Sequence, residues 1–296
     1  MNEYSYDEFI TSLNQEIPSF EKFSKIGDLT ALFEEEDSGR FIQLNYERGP
    51  MLYALTKKLQ PRNILEIGTA RGYGTLCMAW AMHECGIDGK IYTIDPISIN
   101  AKRRFPLDEN LGDGPKIKEI SVKEIWEKIG EKEWVEKIIP INDYSGQAIK
   151  NNVFPKFDFA YIDGAHFFDA VKHDFYGFLK NANEKFGVLL DDYVDRKYYG
   201  VKKLVDEELS HEFDVALIKS DRQNHLGQMF SLKDPKYGMC WLEGNSLKRD
   251  LEEIYSDEKI VEHMRNYLKF ENRLRKREKI NRNLPFMKNI RFRFWK

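Results

Sequence analysis

From residue 63 onward the chain passes from a short apolar run, Ile64, Leu65 and Ile67, through the carboxylate Glu66 and the glycines Gly68, Gly72 and Gly74 into a second apolar stretch over 75–82. The first run has the length of a buried strand and the second reads as a helix, so the glycines between them mark a tight turn. The same alternation continues. Strands are predicted at 90–94, 138–141, 157–162, 187–190, 213–218 and 227–232. Helices are predicted between them, through Ile125 and Trp134 and at 147–151, 167–179 and 201–209. Ser121 and Glu124 have the spacing of a capping box, which places a helix start there. Five or more strand-to-helix alternations argue for a mainly parallel sheet with helices on both faces.

The flanks follow other patterns. Residues 1–60 read as helices broken by turns, with an acidic turn at 34–39 and a helix over 50–59 that has Pro50 in its first turn and Pro61 beyond its end. Residues 97–120 lose the pattern in a run of arginines, prolines and Gly-Asp-Gly, and form an insertion, either a lid over a substrate or a mobile surface loop. Beyond residue 240 two helices are predicted, 251–260 and 261–274, followed by a basic run. Three segments result: 1–60 packed on the core, 61–240 as the main α/β domain, and 241–296 as a helical, basic extension.

Composition changes this picture in one respect. The net charge of −3 hides a basic segment from Arg265 onward, so the rest of the chain is acidic. An acidic body argues against nucleic acid passing through the main domain and assigns any polyanion contact to the extension. Phe270, Phe286, Phe292, Phe294 and Trp295 accompany those basic residues, a mix that suits an anionic membrane surface or a partner subunit, as in a homo-oligomer, and equally a solvated face. No apolar run reaches the length of a membrane span, and the acidic opening lacks the form of a secretory signal. Cys77, Cys85 and Cys240 show no metal-type spacing, and their odd number fits a reducing, cytoplasmic setting, with any membrane contact peripheral.

The Gly-rich turn is a ligand site in its chemistry: glycine lets a ligand reach the main chain, and the following helix offers unpaired N–H groups. A dinucleotide fingerprint would need a third glycine where Cys77 stands, which disfavours a pyrophosphate. Asp95, at the end of the second strand, is placed to accept the hydroxyls of a ribose. Asp163 ends the fourth strand, and Asp191 with Asp192 ends the fifth. On neighbouring strands about 4.8 Å apart, the three acids would converge and repel unless a cation compensates them, for which Mg²⁺ with its oxygen ligands is the default.

The ordered set Glu66-x-Gly68-x-x-x-Gly72-x-Gly74, Asp95, Tyr161-Ile-Asp163-Gly-Ala165-His166 and Gly187-Val-Leu-Leu-Asp191-Asp192-Tyr193 resembles the methyltransferase-24 group of class I S-adenosylmethionine (SAM)-dependent methyltransferases, and is similar to Mg²⁺-dependent sugar O-methyltransferases. The resemblance implies a doubly wound, Rossmann-like sheet of seven strands with one antiparallel strand. It further implies that Glu66, Gly68, Thr69, Ala70, Gly72, Tyr73 and Gly74 form the SAM turn, that Asp95 binds the ribose, that Tyr144 and Ser145 flank the adenine, and that Asp163, Asp191 and Asp192 hold the metal.

One position departs from the pattern. Where the related sugar enzymes carry an Asp as proposed base, this chain has Ala165, leaving His166 as the nearest proton acceptor or as a structural histidine. The expected activity is methyl transfer to a hydroxyl of a small molecule or saccharide. The alternatives are a metal-independent N- or carboxyl-methyltransferase and a catalytically silent SAM-binding protein.

Overall fold

The computed structural model describes residues 1–34, 41–43, 46–109, 114–195, 199–219 and 238–245, with helical turns at 265–267, 269–270 and 272–273. The chain opens with β1 (Asn2–Ser5), α1 (Tyr6–Ser12) and α2 (Phe20–Thr30), then the short hairpin β2 (Leu32–Glu34) and β3 (Phe41–Gln43), and α3 (Arg48–Leu59). The main domain follows with β4 (Asn63–Ile67), α4 (Tyr73–Glu84) and β5 (Lys90–Asp95). A second hairpin, β6 (Arg103–Leu107) and β7 (Lys116–Ile120), precedes α5 (Val122–Ile129), α6 (Lys132–Val135), β8 (Ile138–Asn142) and α7 (Ser145–Asn151). The remaining elements are β9 (Phe157–Ile162), α8 (Phe168–Lys180), β10 (Ala182–Tyr193), α9 (Val201–Leu204) with a π turn at Val205–Leu209, β11 (Asp214–Lys219) and β12 (Gly238–Asn245).

Among the described residues, eight strands form one sheet in the order β1-β11-β12-β10-β9-β4-β5-β8, in which β12 alone runs antiparallel to its neighbours. The doubly wound, mostly parallel arrangement matches the expectation; the count exceeds it by β1. Asn2–Ser5 is too short and too polar to stand out as a strand, and it exists by pairing in parallel with β11. The predicted strand at 227–232 lies outside the described residues, as do the helix at 251–260 and most of that at 261–274. The antiparallel strand is 238–245.

The strand residues alternate between two cores. Ile64, Phe159 and Leu189 face α3, α4 and α5, while Leu65, Ala160 and Val188 face α7, α8 and α9. By the same parity Glu66, Tyr161 and Asp191 face the α3 side. The winding direction reverses between β4 and β9, where ligands bind in such sheets, and the carboxyl ends of those strands carry Gly68 and Asp163. Among the described residues no helix is long and apolar enough to cross a membrane.

Two predicted elements take another form. The insertion at 97–120 is a β-hairpin, with Arg104 opposite Glu119. The helix expected to run through Trp134 breaks at Gly130, whose φ of +83° ends α5 before α6 begins.

Candidate active site

The turn after β4 needs two of its glycines for stated reasons. Gly68 has φ +101°, and a Cβ there would lie 2.1 Å from the backbone oxygen of Asp163. Gly72 has φ +87° and caps α4; a Cβ would lie 2.5 Å from Nε1 of Trp126. That indole, carried by α5, donates to the carbonyl of Arg71 at 2.9 Å and closes the turn from above. Ala70, at φ +48°, adds a third left-handed residue. Its N–H donates to Oδ2 of Asp95 at 3.0 Å, while Oδ1 accepts the N–H of Ile97 at 2.7 Å. Burial raises the Asp95 carboxyl although those backbone donors act against it.

Glu66 is buried under the turn. Thr75 and Thr93 donate their hydroxyls to Oε2 at 2.5 Å each, and Thr69 bonds to Thr93 at 2.5 Å. Desolvation dominates those bonds and pushes the Glu66 carboxyl up to about 7. The Tyr73 hydroxyl donates to the carbonyl of Tyr46 at 2.8 Å, tying the start of α4 to the segment before α3.

The three acids expected around a metal and the neighbouring His166 separate into two groups. Asp191 continues the parity of Leu189 toward α3, where Arg48 donates from Nε to Oδ2 at 2.8 Å and from a terminal nitrogen to Oδ1 at 2.5 Å. Arg48 also pairs with Glu47, and its side chain is only 1% exposed. The Tyr161 hydroxyl bridges Asp191 and Asp163, at 3.0 and 3.1 Å. Asp192 should point to the opposite face, but the β10 register shifts between Leu190 and Tyr193 and Asp192 adopts φ +58°. The bulge re-aims it. Its Oδ2 lies 2.9 Å from Nδ1 of His166, whose ring stacks on Tyr199 at 4.9 Å.

Asp163, His166 and Asp192 each bring one ligand atom within 4.8 Å of the others. Burial pushes the Asp163 carboxyl far above the ordinary range, with Asp191 and Asp192 adding to it and Arg48 opposing. Burial pulls the His166 imidazole down, yet the Asp192 and Asp191 carboxylates outweigh it and the net shift is upward. Such a crowded set fits a divalent cation of mixed oxygen and nitrogen ligation. The set differs from the expected one: both oxygens of Asp191 are engaged by Arg48, and His166 stands in its place.

A cavity of about 650 Å³ opens over the turn. Glu66, Gly68, Thr69, Ala70, Tyr73, Gly74 and Asp163 line it, as do Arg48, Ile97, Tyr161 and residues of both hairpins. Gly72 and Asp95 are not among the lining residues, though Asp95 is bonded to two of them, Ala70 and Ile97. Tyr144 and Ser145, expected beside the adenine, do not line it: buried Ser145 bonds through Oγ to the hydroxyl of Tyr267 at 3.1 Å. Arg48 was not among the residues expected in the site. Its only early signal was its position just ahead of the helix that leads into β4.

Residues 65–193 match the sequence family described as a methyltransferase domain. No curated protein matches the chain. Among solved structures the chain is similar to the O-methyltransferase TomG from Streptomyces achromogenes, involved in tomaymycin synthesis and in complex with SAM. The two are 17% identical over 80% of this chain and 94% of that one, with a TM-score of 0.51. It is similar also to the O-methyltransferase from Bacillus cereus in complex with S-adenosylhomocysteine (SAH), 15% identical over 81% of this chain and 96% of that one, with a TM-score of 0.51. At such identities the likeness is one of fold.

Proposed function

We propose, from the match of residues 65–193 to a methyltransferase domain, that the chain is a class I SAM-dependent methyltransferase that moves the methyl group of SAM to a hydroxyl of a small molecule or sugar, with His166 as the base. The observation that carries this reading is the Asp192–His166 pair, 2.9 Å apart and within 4.8 Å of the Asp163 carboxyl, a residue of the cavity lining. Bound SAM supplies an electrophilic methyl group on a sulfonium. Gly68 and Ala70 leave main chain open to it, and Asp95, oriented by the N–H groups of Ala70 and Ile97, retains lone pairs for a ribose. Asp192 accepts from Nδ1 of His166 and so leaves Nε2 as the proton acceptor for a hydroxyl. Tyr199, stacked on the ring, fixes its plane.

A second reading adds a divalent cation and rests on the convergence of Asp163, His166 and Asp192. Mg²⁺ is the ion the sequence resemblance implies, while an imidazole among the ligands suits Mn²⁺ or Zn²⁺ better. Such an ion would lower the pKa of an acceptor hydroxyl.

Calorimetric titration with SAH and transfer of labelled methyl groups to a panel of hydroxyl compounds test both. His166→Ala should lower kcat by about 10²- to 10⁴-fold at unchanged SAH affinity. A chain that binds no SAH ends the reading, an undiminished His166→Ala variant removes the base, and full activity in EDTA removes the metal.

A further inference from the structure

The cavity over the turn carries groups of both charges. Its lining includes the carboxyl residues Glu66 and Asp163 and, on and beside the β6–β7 hairpin, Arg71, Arg103 and Arg104. Arg71 is half-buried. Its guanidinium donates to the carbonyls of Pro106, at 3.2 Å, and Leu32, and lies 5.3 Å over the ring of Phe105. Those bonds join both hairpins to the turn and bring the guanidinium no negative charge. Burial pulls its pKa down to about 10 with no anion opposing the shift.

Arg103 and Arg104 are exposed neighbours on β6. Arg103 is close enough to Asp95 to draw its carboxyl downward, yet forms no ion pair with it, and Arg104 forms none with Glu119 across the hairpin or with Glu34 at the rim. Other cations nearby are paired: Lys118 and Lys128 both reach Glu109, and Lys102 reaches Glu124 at 3.5 Å. Among the described residues, these three guanidiniums face no carboxylate within ion-pair distance.

We propose that Arg71 and Arg103, which share the Phe105 face of the hairpin, with Arg104 next along the strand, form an anion-binding rim of this cavity that takes a carboxylate or phosphate group on the acceptor. The proposal rests on the reading of this cavity as the place where donor and acceptor meet. A guanidinium offers a planar fork matched to two oxygens, and two of them on one face of the hairpin select an acid over a neutral compound of the same shape. The same chemistry has a second source, the methionine carboxylate of SAM.

Inorganic phosphate, titrated calorimetrically at constant ionic strength into the full chain saturated with SAH, separates these. The expected result is one site, weakened at least tenfold in Arg103→Ala/Arg104→Ala while the melting temperature stays at the wild-type value, since both side chains are exposed. Absence of a phosphate signal, or equal binding by the double variant, overturns the proposal. Phosphate that competes with SAH assigns the arginines to the donor and also overturns it. If SAH itself fails to bind, the donor reading falls, and phosphate binding to the SAH-free chain and its loss in the double variant still decide whether the rim holds anions.

Discussion

Arg48 occupies the first position of α3, where the helix dipole disfavours a cation, and it is held there by two carboxylates. Replacing it with Met would leave Asp191 buried without a counter-charge, and a loss of about 3–5 kcal/mol in unfolding free energy is expected. Arg48→Met/Asp191→Leu should recover the part of that loss due to Asp191 in urea denaturation, with Glu47 still lacking its partner; a single variant within 1 kcal/mol of wild type would show that Asp191 finds another partner. Glu66 gives a pH dependence of the opposite kind to that of a paired acid. Its folded value near 7 lies above the model-compound value of 4.5. The folded state therefore holds the proton longer, and stability present below pH 4.5 is lost as pH rises toward 7. The loss amounts to about 3 kcal/mol at 1.36 kcal/mol per unit. Glu66→Gln keeps an acceptor for Thr75 and Thr93 and should flatten the slope measured between pH 5 and 8; an unchanged slope would place its cause elsewhere. At this scale the sequence was informative wherever a residue's type set its task. Gly68, Gly72, Glu66 and Asp163 could be located from the pattern alone. Arg48 could not, because its role depends on a carboxylate 143 positions away.

Elements settle what single residues leave open. Asp191 and Asp192 read as one cluster because they are adjacent, but adjacent strand residues face opposite ways, and only the bulge in β10 decides where the second points. A bulge has no signature in a short apolar run. The β6–β7 hairpin was likewise visible only as an interruption, since its strands are polar and are held by pairing with each other and by the Arg71 bonds. The helical turn containing Tyr267 belongs to the described part of the C-terminal extension. Tyr267 is 3% exposed and packs against Phe167 and His173, with ring centroids at 5.6 and 5.1 Å. Tyr267→Phe should cost about 1 kcal/mol through the lost bond to Ser145, and Tyr267→Ala about 3 kcal/mol or more through the lost packing. Faster amide exchange over α7 in the alanine variant would accompany this; a denaturation midpoint equal to wild type would mean that this turn does not hold α7.

For the whole molecule the parallel order around β4 was readable because each strand and helix repeats a local pattern, and the doubly wound sheet follows from those repeats. The outer strands follow no such rule. Strand β12 inserts between β10 and β11, and β1 attaches beyond β11, so both depend on partners that local patterning cannot name. The β1 pairing also bears on the order of assembly. Asn2 lies beside Ala216 and Ser5 beside Lys219, so β1, which precedes the rest of the sheet in the chain, acquires its partner only after β4 through β10 have been made. Bringing such distant segments together is a slow, non-local event. Until then β11 has no neighbour on that side, and the packing of Tyr4 on Phe9 and the adjoining core marks a chain whose sheet has closed.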